Sequence, residues 1–139
     1  MPSNYRILPE HFLVVITHEG HVSVDDTLGM MARFAQDPDA QHGQRHLVDM
    51  SRVESHDEDH ARILSMHARN LDVVGGEGPE MLLVLYAPTP PARSMAALIA
   101  AAWEPSPIVI PRIVTEEADA LAMLGLRHAR IAELLQTPA

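Results

Sequence analysis

The sequence contains no cysteine and no lysine. Without cysteine there are no disulfides, no thiolate nucleophile and no Cys-based zinc site. Without lysine, all 10 cationic side chains are arginines, and against 19 carboxylates they leave a formal net charge of −9. A surface with that balance repels phosphate backbones and anionic lipid headgroups at long range, so nucleic acid and acidic membranes are not expected as partners. No stretch approaches the roughly 20 apolar residues that span a bilayer, and membrane insertion is not expected either. The opening residues, Met1 to Arg6, lack a basic region followed by an apolar run. No signal peptide is read there, which makes a cytoplasmic location the default. Internal repeats, low-complexity tracts and linker-like stretches are also missing.

What is present is ordinary for one globular domain: 139 residues, 47% of them hydrophobic and 21% charged. A chain of that size buries about two-thirds of its unfolded surface.

Two apolar runs, Tyr5 to Leu8 and His11 to Thr17, flank Pro9-Glu10 and predict an antiparallel hairpin with proline in the turn. Ser23, three residues before Asp26, reads as the N-cap of a helix carrying Leu28, Met31, Phe34 and Ala35 at helical spacing. His46 to Met50 reads as the next strand. Ser55-His56-Asp57-Glu58 has the form of a capping box, opening a second helix with Ala61, Leu64, Ala68 and Leu71 as its stripe and Gly75-Gly76 as its end. Met81 to Tyr86 is continuously apolar, as a central strand covered on both faces should be. Thr89-Pro90 starts a third helix that runs through Trp103. Ile108 to Val114, interrupted by Pro111, suits a sheet edge. Thr115-Glu116-Glu117 opens a helix ending near Gly125, and Arg127 to Gln136 adds a further helical turn or two.

The order β-β-α-β-α-β-α-β-α implies an α/β fold, a mostly parallel sheet joined through right-handed crossovers, with the first hairpin as one antiparallel edge. Residues 1–126 form the domain in this reading and 127–139 a C-terminal helical tail.

That order, together with Glu19-Gly20, Leu47-Val48-Asp49, the Asp49-to-Glu54 segment leading into an acid-capped helix, and Ala118 to Leu124, resembles the STAS domains. The nearest likeness is to the SpoIIAA-like, or STAS/SEC14-type, stand-alone bacterial proteins, and it runs from about Tyr5 to Gly125. The resemblance implies a SpoIIAA-like superhelix of β/α units, a regulatory module without catalysis, and no cofactor. Antagonist STAS domains carry an Asp-Ser-Ser-Gly motif whose serine is switched by phosphorylation. Aligned through Asp49 and Val53, that motif falls on Asp57-Glu58-Asp59-His60. The phosphoacceptor position is a permanent carboxylate here, so the usual phosphoserine switch is not expected.

Two constellations remain as candidate sites. Ser55, Asp57, Glu58, Asp59 and His60 form a carboxylate-rich helix start, and His56, His60 and His67 would share one face of a continuous helix, the spacing of a two-histidine metal site. Acids matching the helix dipole and solvated histidines account for the same residues without metal. Met95, Leu98, Ile99 and Trp103 make the third helix apolar on more than one face, and the sheet needs only one such stripe. The surplus fits three uses: packing beneath Ile131-Leu134-Leu135, a homodimer contact, or the wall of an apolar ligand pocket. A serine nucleophile would need histidine and aspartate brought to it from elsewhere in the chain, and no nucleophile-elbow pattern surrounds Ser51, Ser55, Ser65 or Ser94.

The expected function is therefore a non-catalytic module that binds a protein partner, itself or a small ligand. An apolar-ligand or lipid carrier of SEC14-like type and a metal-dependent enzyme using His56 and His60 stand as alternatives.

Overall fold

In the computed structural model, which describes residues 2–59, 62, 63, 65 and 80–136, five strands form one sheet. They are β1 (Ser3–Leu8), β2 (Leu13–Val22), β3 (Arg45–His56), β4 (Met81–Tyr86) and β5 (Val109–Val114), lying side by side in chain order. β1 is antiparallel to β2, and every other pairing is parallel. The expected α/β architecture, with an antiparallel edge hairpin on a parallel sheet, is the one observed. Pro111 lies within β5, on the outer edge, where a missing donor is tolerated.

The first hairpin connection is longer than the sequence suggested. Pro9–His11 forms a 3-10 turn closed by Phe12, whose φ of 49° is left-handed and whose N–H bonds the Pro9 carbonyl at 3.1 Å. β2 accordingly begins at Leu13 rather than His11.

Three of the four helices with described bounds start or end as their residues dictate. In α1 (Val24–Ala35) the Ser23 hydroxyl accepts the Asp26 N–H at 3.0 Å, the predicted cap. In α2 (Pro90–Trp103) the Thr89 hydroxyl accepts the Ala92 N–H at 3.3 Å behind a proline in the first turn. α3 (Glu117–Met123) ends in a Schellman motif. Leu126 N–H bonds the Leu121 carbonyl, Gly125 N–H bonds the Ala122 carbonyl, and Gly125 takes a φ of +68°. Space around Gly125 is open, so only backbone strain opposes a side chain there. Gly125→Ala is expected to cost about 1 kcal/mol, read as a lower urea midpoint with unchanged slope.

Alternation along the strands divides the core in two. On one face Val48, Met50, Leu83 and Leu85 meet Met95, Ala96, Ile99 and Trp103 of α2. On the other, Leu13, Val15, Leu47 and Val84 meet Leu121 of α3, its C-cap Leu124, and Ile131 and Leu134 of α4 (Ile131–Gln136). Arg45 fastens this second side, donating to the His11 carbonyl at 2.6 Å and also to the Leu124 carbonyl at the end of α3. The C-terminal segment and α2 therefore cover opposite faces. The surplus apolar surface of α2 does not lie beneath Ile131-Leu134-Leu135, as one sequence reading had it.

One boundary is corrected. β3 does not stop near Met50 but continues to His56, paired with the far end of β2 (His21 opposite Ser55, Val22 opposite His56) across two register irregularities. Ser55 is thus a strand residue and not a helix cap. The cap is Asp59, whose carboxylate accepts the Arg62 N–H at 3.0 Å and whose carbonyl accepts the Ile63 N–H at 3.0 Å. The Arg62 guanidinium also reaches Asp25 in the first turn of α1. The remainder of the predicted second helix, with Ala61, Leu64, Ala68, Leu71 and Gly75-Gly76, lies outside the described residues. No helix of the described residues is long and apolar enough to cross a membrane.

Candidate functional site

α1 and α2 lie over the same face of the sheet without filling the space between them. They leave a cavity of about 80 Å³ that opens to solvent. Its floor comes from alternate residues of three parallel strands: Ile16 and His18 of β2, His46 and Val48 of β3, Met81 and Leu83 of β4. α1 contributes Val24, Thr27, Met30 and Met31, and α2 contributes Met95, Leu98, Ile99 and Trp103. Four of these walls are methionines, unbranched and polarizable side chains that adapt to irregular shapes.

The few polar groups inside are mostly histidines. His18 is buried, with Nδ1 2.8 Å from the Ser3 hydroxyl. His46 is only 8% exposed, and Phe34 meets its ring edge-on at 5.7 Å between centroids. No hydrogen bond reaches either nitrogen of His46 from the described residues. Burial alone pulls its pKa down to about 4, so the ring is neutral at pH 7.

At the carboxyl ends of β2 and β3 the wall turns polar with Ser23, His56 and Asp57. His56 Nδ1 lies 2.8 Å from the Asp57 carbonyl, which can only accept, so that nitrogen carries a proton. Nε2 of the neutral ring then accepts from the Ser94 hydroxyl at 3.2 Å, tying the end of β3 to α2. Beside it stands a second linked set. His21 Nδ1 is 2.7 Å from Ser55 Oγ, and His21 Nε2 is 3.1 Å from Asp57 Oδ1. Asp57 Oδ2 accepts the Val24 N–H at 2.8 Å. That backbone donor, and after it the His21 ring, holds the Asp57 carboxyl below the usual carboxylate range.

Comparison with protein-family models, curated proteins and solved structures yields no match.

The two sequence-derived constellations meet at this cavity. Met95, Leu98, Ile99 and Trp103 all line it, and so do His56 and Asp57 from the acidic segment. Trp103, only 4% exposed, belongs to the first core. Ser55, Glu58 and Asp59 are not in the lining: Ser55 faces His21, Asp59 caps the following helix and Glu58 is exposed. His60 and His67 lie outside the described residues. The helical premise of the metal reading is corrected at His56, which ends a strand and so is not a helical residue. Among the described residues no cluster of three or more potential metal ligands is found.

Sequence reasoning missed His18, His46 and the methionines of α1. A signal for His46 was present: it precedes Val48 and Met50 at period two, which places it on their buried face. His21 carried none, since only the parallel register of β2 with β3 sets it opposite Ser55.

Proposed function

We propose that this chain is a binding module for a small, neutral, largely apolar molecule, held in the cavity between α1, α2 and the sheet. The observation that carries this reading is the cavity itself, whose largely apolar walls include four methionines and the neutral His46 imidazole. A hydroxyl or carbonyl group on a bound molecule could hydrogen-bond that ring. Apolar walls with a few converging polar groups are the usual make-up of a small-molecule site. The burial of Met95, Ile99 and Trp103 within the protein favours a ligand over a subunit contact as the use of α2's extra apolar face. The sequential strand order with its antiparallel edge hairpin is compatible with a STAS-like module that senses or carries such a ligand, and the carboxylates of Glu58 and Asp59, at the motif's serine positions, argue against a phosphoserine switch there.

1-Hexanol, a short alkyl chain with one hydroxyl, is the direct probe. Titrated into ¹⁵N-labelled protein, it is expected to give saturable amide shifts concentrated at residues 16–18, 24–31, 46–48 and 95–103. Leu98→Trp, which fills the cavity from a half-buried position, is expected to weaken binding at least about tenfold. Absence of saturable shifts, or the same affinity in Leu98→Trp, overturns the reading.

A further inference from the structure

Ser55, His21 and Asp57 form a continuous chain, with contacts of 2.7 Å and 3.1 Å, and of the three only Asp57 also lines the cavity. Their proton positions follow from elementary chemistry. The Asp57 carboxylate is ionised and only accepts, so the proton between it and His21 sits on His21 Nε2. In the neutral ring Nδ1 is then an acceptor, and the group facing it is the Ser55 hydroxyl. This is the arrangement that activates a serine: hydroxyl to imidazole to an orienting carboxylate, the carboxylate fixing the tautomer. Asp57 is itself fixed by the Val24 N–H at 2.8 Å, so the orienting group is anchored to the start of α1.

The location agrees. His21 and Ser55 sit opposite each other near the carboxyl ends of two parallel strands, where ligand sites of open α/β sheets lie. Ser55 and His21 are exposed to incoming substrate, while the adjoining residues His56 and Asp57 line the apolar cavity. The geometry points to a serine-type hydrolase site for small, solvent-accessible esters, the ester carbonyl placed beside Ser55. This inference stands on the Ser55, His21 and Asp57 contacts, independently of the apolar-ligand reading, and departs from the non-catalytic module expected from sequence.

In the first half-reaction Ser55 Oγ bonds to the ester carbonyl carbon and gives its proton to His21 Nδ1. The carbon–oxygen bond to the alcohol breaks, and the alcohol leaves with that proton, the acyl group remaining on Ser55. In the second half water adds its oxygen to the acyl carbon and its proton to His21. The bond to Ser55 Oγ breaks, Ser55 regains the proton and the carboxylic acid departs. Water is the one co-reactant. Ser55 and His21 are the catalytic residues, and Asp57 is a positioning residue acting through His21.

p-Nitrophenyl butyrate and a fluorophosphonate label test this on the full chain. The wild type is expected to hydrolyse the ester with saturation and to take up the label at Ser55, located by peptide mass spectrometry. Ser55→Ala and His21→Gln are expected to lose at least about 100-fold in rate. Asp57→Asn is expected to lower kcat with KM held, a split that a merely structural role would not give. Hydrolysis no faster than buffer, or an unchanged rate in Ser55→Ala, overturns the inference. The hexanol titration separates the two proposals. Binding retained without hydrolysis removes the ester chemistry alone, and Ser55 labelling without hexanol binding removes the cavity's role alone.

Discussion

Leu134→Asp is expected to abolish the folded state at room temperature. Leu134 is fully buried (0% exposed) in the second core, among Leu8, Leu13, Leu121 and Ile131. Truncating such a leucine alone costs about 2–5 kcal/mol. The aspartate adds a carboxylate that must be desolvated or protonated among aliphatic side chains. Domains of this size are stable by only about 5–15 kcal/mol, so the combined loss approaches the whole. Glu133→Ala, one residue away and exposed, should change stability by less than about 0.5 kcal/mol. Circular dichroism during thermal unfolding reads both. A cooperative transition in Leu134→Asp within a few degrees of wild type would show that α4 is dispensable and that the second face of the sheet is not sealed by it.

The second large effect is a loss of stability in mild acid that originates at His46. Its folded pKa of about 4 lies below the 6.5 of the unfolded chain, so the unfolded state takes up the proton first as pH falls. The linkage is absent above pH 6.5, grows through the interval down to pH 4, and reaches about 2–3 kcal/mol near pH 4.5. Asp57 acts in the same sense, because its depressed carboxyl also costs stability as pH falls, but that loss develops around and below the unfolded carboxylate value of 3.8, beneath this window. In urea unfolding at pH 7.0 and 4.5, His46→Leu is expected to lose about 2–3 kcal/mol less between the two conditions than wild type. Equal losses in both proteins would mean that His46 is not held neutral in the folded state. Saturation with hexanol should raise stability at both pH values alike and leave the difference between them unchanged, because a hydroxyl group bonds the neutral ring as well as the charged one.

The comparison of sequence with structure is instructive where it succeeds and where it fails. Met81–Tyr86 was legible as a central strand because neighbours on both sides and layers on both faces leave no position for a polar residue. Ser23 and Thr89 were legible as caps because capping is a local bond over three residues. The far half of β3 was not legible. Its pairing with β4 ends at Asp49, so residues 50–56 are flanked by a strand on one side only. Arg52, Glu54 and Ser55 are exposed there, and a polar extended segment looks like a loop. Ser55 and Glu58 then imitate a capping box that the chain does not use. The same misreading hid the histidine opposite Ser55, since long-range parallel register leaves no mark in a single sequence. The apolar surplus of α2 was visible, but its purpose depended on which face each later helix covers, and that is decided only by packing.

The separation of the helices onto two faces bears on biosynthesis. The three crossovers that follow β2, β3 and β4 precede α3 and α4, which among the described helices cover Leu13, Val15, Leu47 and Val84. On the ribosome roughly 50 residues separate Val84 from Leu134, some 3–10 seconds of synthesis at about 5–20 residues per second. Through that interval a sheet already able to pair would carry a bare aliphatic surface, a target for chaperone capture until the last two helices emerge.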